Sequence, residues 1–386
     1  MLILKGSSAR MNIDKKEILA SIINDVDKLR EMLMSGTEIE GNGNVRYNTD
    51  INVAHGYNKI FYGIPGCGKS WHIENKVLAG VNKKEDVFRT TFFLDYSNSD
   101  FVGQIYPVVD GDKVKYEYVA GPFTKALERA LTVKDKHMVY LVIEEINRGN
   151  AAAIFGDLFQ LLDRLSSPKD GRVKGDSEYP ISNTFIEGYF EKHGVPFDKG
   201  NIYIPHNLTI LATMNTSDQN VFPLDTAFQR RWDREKIVAK IEESKYADLL
   251  VPGTEIKWKD FASKINFHMI EDCSDKSVTE DKNLGAYFAT DAMLCYENDS
   301  PEEKKKKAIR FANNVMEYLF GTAVKFAPEI LFDKKYDRYQ KVYDEMESFM
   351  FDVDQSEAFI SMLASNVAKD LKSVIAPSPA SSEDGE

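Results

Sequence analysis

The chain is 386 residues long, 43% hydrophobic and 28% charged, the composition of an ordinary globular protein with room for two domains and a sizeable core. A formal net charge of -12 speaks against unaided binding of nucleic acid, where affinity comes largely from Lys and Arg neutralising phosphates. No stretch approaches the roughly 18 apolar residues of a membrane span, MLILKG is too short for a secretory signal, and Cys67, Cys273 and Cys295 lack metal-ligand spacing, so a reducing cytoplasmic setting is expected.

Residues 12–34 space their apolar side chains as an amphipathic helix, and GTEIEGNGN then breaks it. From about Asn58 to Arg234 short apolar strands alternate with helices: KIFYG (59–63), FRTTFFL (88–94), HMVYLVIE (137–144) and NLTILATMN (207–215). Uninterrupted apolar strands between helices predict a parallel sheet buried on both faces. GQIYPVVDGDKVKYEYV (103–119) alternates about Asp110-Gly111 and predicts a β-hairpin. Residues 166–206, rich in Ser, Pro, Gly and Lys, predict a long exposed loop or insertion. Beyond about residue 235 no buried-strand pattern recurs, and KKAIRFANNVMEYLFG (306–321) and SEAFISMLASNVAKDLKSVI (356–375) are helical in period. The expected division is a helical N-terminal segment (1–50), an α/β nucleotide-binding domain (51–235), a helical domain (236–375) and a disordered tail (376–386).

Gly63-Ile-Pro-Gly-Cys-Gly-Lys69-Ser70 fits GxxxxGK[ST] between a strand and a helix. Its glycines let backbone N–H groups close around phosphate oxygens; Lys69 neutralises the terminal phosphates and Ser70 ligates Mg²⁺. Gly63, Pro65, Gly66, Cys67, Gly68, Lys69, Ser70 and Trp71 are therefore the nucleotide-contact candidates, with Cys67 a small filler and Trp71 a packing residue on the first helix turn. HMVYLVIE places Glu144 and Glu145 at the carboxyl end of a strand, where ligands of such sheets collect. Glu144 is expected to reach Mg²⁺ through water and Glu145 to polarise the water that attacks the γ-phosphate. Asn215 ends the next strand beside them and can orient the same water. Arg230 and Arg231, near the end of a short helix, read as a solvated helix end or salt-bridge surface, or, with a neighbouring subunit's γ-phosphate within reach, as its guanidinium partners. Lys304–Lys307 read as a charged helix face, and Tyr96 and Phe101 as pore or core aromatics.

GIPGCGKS, FLDYSNSDFVGQIYP followed by VAGPF, LVIEEINRGNAAAIFGDLFQLLDR, NIYIPHNLTILATMNTSDQNVFPLDTAFQRRW and NLGAYF together resemble the AAA+ ATPases, and within them the McrB-like GTPase subunits of modification-dependent restriction systems. The resemblance implies an α/β P-loop AAA+ core with a parallel sheet, an inserted β-hairpin and a C-terminal helical lid. It implies Lys69 and Ser70 on phosphate and Mg²⁺, Glu144 and Glu145 as the acidic pair, Asn215 as sensor and Arg230 or Arg231 as the finger acting on the adjacent subunit, with Asn147 and Arg148 in support. It implies a homo-hexameric ring, a McrC-like nuclease partner that stimulates hydrolysis, DNA reached through that partner or the ring pore, and GTP as substrate. The phosphate loop reads no base, so ATP stands beside GTP, and an ATP-dependent remodelling or assembly factor for protein complexes is the alternative. The chain departs from the pattern at Glu144, where Asp is usual, and at Gln219, where Arg is usual. The roughly 55 residues before the loop leave little length for a folded DNA-reading domain.

Overall fold

The computed structural model describes residues 37–39, 45–47, 55–111, 113–134, 136–216, 221–238, 240–272, 278–349 and 356–375. The helix expected over 12–34, the tail 376–386, Cys273 and Gln219 lie outside the described residues. Where the sequence reading has only a helix break, β1 (Thr37–Ile39) pairs antiparallel with β2 (Val45–Tyr47). Each strand is three residues long, too short for a periodicity signal.

Five parallel strands make the sheet that carries the site: β3 (Asn58–Gly63), β4 (Val87–Thr91), β7 (Val139–Glu144), β8 (Leu208–Asn215) and β9 (Asp233–Lys236), in the order β4-β7-β8-β3-β9. The central strands β7 and β8 are apolar and buried, as crossovers that cover both faces require. β9 escapes the sequence reading because DREK is charged; as an edge strand it needs no apolar face. β4 ends at Thr91, three residues before its expected end, and of the next three only Phe92 turns into the core while Phe93 and Leu94 are exposed.

The helix Pro122–Thr132 buries Phe123, Ala126, Leu127, Ala130 and Leu131, a spacing that aligns one face onto Val139, Leu141 and Ile143 of β7. Phe101 and Tyr96 belong to the same core, packed on Phe92 at 5.5 Å and 5.0 Å. The hairpin forms as expected, β5 (Gly103–Asp110) against β6 (Lys113–Ala120), with Gly111 at φ 62° at the turn.

Residues 166–206 are not the exposed loop their composition predicts. They contain the helix Thr184–His193, capped by Asn183, and bury Ile181, Ile186, Phe190, Ile202 and Ile204. These apolar residues are scattered among turn formers, so no window shows a clean period. Arg164 fixes the base of the insertion: its guanidinium donates to Asn58 Oδ1 at 3.1 Å, Gly175 O at 2.8 Å and Leu208 O at 2.8 Å. Burial lowers its pKa to about 9, and its bonds tie the first residues of β3 and β8 to the insertion.

Beyond β9 the chain is helical. Trp258–Glu271, Pro301–Phe311, Tyr339–Phe349 and Ser365–Ile375 surround a core that includes Trp258, Phe261, Phe311 and Phe359. The helix expected over 356–375 is two, Ser356–Ser361 and Ser365–Ile375. Lys306 pairs with Glu302 at 2.8 Å on the charged, solvated face, whereas Lys307 turns inward to a largely buried pair with Asp299 at 2.6 Å.

Candidate nucleotide-binding site

Parallel pairing brings the ends of β3, β7 and β8 together at the carboxyl end of the sheet. Gly63 at the end of β3 is opposite Asn215 at the end of β8, and Ala212 of β8 is opposite Ile143, so Thr213 lies beside Glu144. The glycine-rich turn leaves β3 with Gly66 and Gly68 at φ 71° and 98°, conformations that disfavour any side chain. Lys69 opens the helix Lys69–His72. Its ammonium folds back onto the carbonyls of Gly63 and Ile64, both at 3.1 Å, the donors' reach a phosphate oxygen would need.

The second strand supplies the acids. Glu144 Oε2 accepts from Ser70 Oγ at 3.0 Å and Thr213 Oγ1 at 2.6 Å, and Arg89 on β4 pairs with its other oxygen. The longer Glu side chain at this position is thus held by three groups. Thr213 was legible as the residue two before Asn215 on the same strand face; Arg89 was signalled only as a charge within an apolar run, and both were missed.

Glu145 adopts the left-handed conformation, φ 55° and ψ 48°, which turns its side chain away from that of Glu144. Its carboxylate accepts both bonds of the Asn215 amide, at 2.8 Å and 3.0 Å, and one from Arg148 Nε at 3.2 Å. Asn147 donates to the Asn215 carbonyl at 2.8 Å and accepts from Phe222 N at 2.8 Å through its own carbonyl, so the turn after β7 clamps the end of β8.

The helical part reaches the same loop. Tyr287 N donates to Gly66 O at 2.7 Å, and a Cβ on Gly285 would sit 2.3 Å from Gly66 C and 2.4 Å from Pro65 O. The two backbones therefore touch, and NLGAYF covers the turn. Burial pushes the Cys67 thiol up, against the attraction of Lys69, in keeping with a filler. Trp71 departs from the packing reading: it is 47% exposed, its ring stacked on Tyr287 at 6.3 Å.

The two arginines separate. Arg231 donates to Asp163 Oδ2 at 3.0 Å and 2.7 Å and lies 4.1 Å over the Phe159 ring. Arg230 is exposed. The adjacent Arg231 carbonyl accepts from Asn58, the first residue of β3, so the pair sits at the opposite end of that strand from Gly63. Five residues at about 3.3 Å each put the two ends roughly 16 Å apart.

These groups fit a nucleoside triphosphate with Mg²⁺: a ring of backbone donors, one ammonium, one hydroxyl and one carboxylate. Among the described residues no cluster of three or more Asp, Glu, His or Cys could hold a metal alone. Ser70 and Glu144 would hold Mg²⁺ together with the phosphates, as this hard ion commonly requires.

Residues 58–232 match the model of the AAA domain of the dynein-related subfamily. The chain is 34% identical over 337 residues to the Type II restriction enzyme BsuMI component YdiS of Bacillus subtilis, covering 79% of this chain and 90% of that protein. It is 26% identical over 177 residues to the Type IV methyl-directed restriction enzyme EcoKMcrB subunit of Escherichia coli, 45% of this chain and 34% of the relative. With the phosphate loop, Glu144, Glu145 and Asn215 assembled at the carboxyl end of the sheet, and with a relative matched along nearly its whole length, the chain belongs to the McrB-like AAA+ family of restriction-system components.

Proposed function

We propose that this chain is a Mg²⁺-dependent GTPase whose sites are completed between neighbouring copies of a homo-hexameric ring, and that hydrolysis drives DNA translocation or remodelling for a McrC-like nuclease in the restriction of foreign DNA. The observation that carries the hydrolytic part is the Asn215 amide held on the Glu145 carboxylate beside the phosphate loop. Mg²⁺, when bound, supplies charge that neutralises the developing negative charge on the phosphates. Lys69 releases its loop carbonyls for phosphate oxygens. Glu145, fixed by Asn215 and Arg148, takes the proton of the attacking water, while Ser70 and Glu144 keep the opposite side of the loop in register. The exposed guanidinium of Arg230 cannot reach its own loop along β3, which supports action on a neighbouring copy.

The names of the relatives, both components of restriction enzymes, support the biological setting, and a multi-component enzyme leaves cutting to another subunit. The alternative, an ATP-dependent remodelling factor for protein complexes, uses every residue of the same site; the net charge of -12 favours it over a DNA-gripping surface. Glu145→Gln tests the hydrolytic assignment. The variant should bind nucleotide like the parent and turn it over at least about a hundredfold more slowly; equal turnover would remove Glu145 from the reaction.

A further inference from the structure

Beside the phosphate loop lies a cleft of about 410 Å³, within the range that small-molecule ligands occupy. Its walls are Trp71, Ile237, Val238 and Ala286, with Lys240 and Glu243 at the rim. A triphosphate laid along the loop would carry its terminal phosphate toward Lys69, Glu144 and Glu145. Its nucleoside would then extend past Cys67, Gly68 and Trp71, which line this cleft. An indole that is half exposed, braced against Tyr287 and approached by Lys76 at 5.9 Å, is a ready stacking face.

We infer that the purine binds in this cleft, stacked on Trp71, and that Glu243 with Lys240 selects guanine over adenine. The assignment rests on the nucleotide-hydrolase reading above. Lys240 Nζ donates to Glu243 Oε1 at 2.7 Å in an exposed ion pair at the rim, which a base would open to meet a cation and a carboxylate side by side. Guanine presents an O6 acceptor next to N1–H and N2–H donors, the complement of an ammonium beside a carboxylate; adenine presents a donor and an acceptor in the reverse order. Ile241, between the two, is buried in the helical core and holds the short turn that carries both. The glycine-rich loop cannot make this distinction, since it touches only phosphates.

The test is calorimetric titration of the full chain with non-hydrolysable analogues of GTP, ATP, ITP and XTP, on the parent and on Trp71→Ala, Glu243→Ala and Glu243→Gln, with melting curves to verify folding. Trp71→Ala should weaken GTP and ATP alike by about tenfold or more. Glu243→Ala should weaken GTP roughly tenfold and ATP far less, and the parent should bind ITP, which lacks the 2-amino donor, more weakly than GTP. Glu243→Gln should gain affinity for XTP, whose C2 carbonyl accepts from the new amide; a merely structural role for Glu243 gives no such gain. A parent that prefers GTP while the Glu243 variants keep that preference overturns the role of Glu243 and leaves the GTPase reading standing. A parent that binds GTP and ATP equally overturns both. Unchanged affinities in Trp71→Ala overturn the cleft itself.

Discussion

Arg230 and Arg231 are adjacent in sequence yet should fail in opposite ways when replaced by alanine. Arg231 makes two charged hydrogen bonds to Asp163 and one to the Ala227 carbonyl at 2.8 Å, and it stacks on Phe159 with only 10% of its side chain exposed. A hydrogen bond to a charged group contributes about 1.5–3 kcal/mol and a partly exposed cation–π contact about 0.5–1 kcal/mol. Asp163 keeps 30% exposure and water can resolvate it, so the lower halves of those ranges apply and Arg231→Ala should cost about 2–3 kcal/mol. Arg230→Ala removes an exposed side chain and should change stability by less than about 0.5 kcal/mol. Its effect should be kinetic, a loss of about a thousandfold in turnover at saturating nucleotide with binding little changed, as for other trans-acting arginines. Urea denaturation and steady-state phosphate release on the two variants separate the cases. Full turnover by Arg230→Ala, or an Arg231→Ala variant with parental stability and no activity, would refute the assignment. Mixing Arg230→Ala with a Lys69→Ala chain adds a further check, because complementary defects in neighbouring subunits should restore part of the activity.

Three other outcomes follow from named contacts. Gly285→Ala drives a methyl into the backbone of Gly66 and Cys67, and a shift that relieves it breaks the Tyr287–Gly66 hydrogen bond; overpacking and that loss together cost about 2–4 kcal/mol, so nucleotide affinity measured by titration should fall at least about tenfold. Asp176 is buried, which would raise its pKa, but hydrogen bonds from His206 and the Val173 N–H more than offset this and hold it below the usual aspartate range. Its contribution is therefore fully present above pH about 4, the unfolded value, and is lost as the pH falls through the lower folded value. Asp176→Asn should destabilise by about 1–3 kcal/mol from pH 7 down to 5, with the gap closing below 4; a gap that widens in acid contradicts this. Cys67, buried with its thiol pushed up, should resist iodoacetamide at pH 8 in the folded chain, and rapid labelling of its peptide seen by mass spectrometry would contradict that packing.

Much of the sheet was legible because β3, β7 and β8 are short apolar runs closed by glycine or polar residues, and the candidate site residues sit at their ends. The hairpin was legible from its alternation about Asp110-Gly111. What was hidden depends on partners distant in sequence. β9 is a strand only because β3 lies beside it. The insertion is ordered because Arg164, Asp176 and Ser177 satisfy carbonyls and N–H groups far along the chain, Ser177 Oγ donating to Leu161 O at 2.7 Å. Arg89 on Glu144, and Arg231 on Asp163 rather than free beside Arg230, are consequences of register and crossing that no spacing rule encodes. The base-facing cleft falls in the same class, since Trp71 and Glu243 are 172 positions apart by subtraction of their numbers.

Steady-state hydrolysis of GTP and ATP side by side, with Mg²⁺ and with or without a McrC-like subunit, tests the central claim most directly. The account predicts a strong preference for GTP and stimulation by the partner. ATP preference, or indifference to the partner, would contradict it and leave an AAA+ enzyme of another kind.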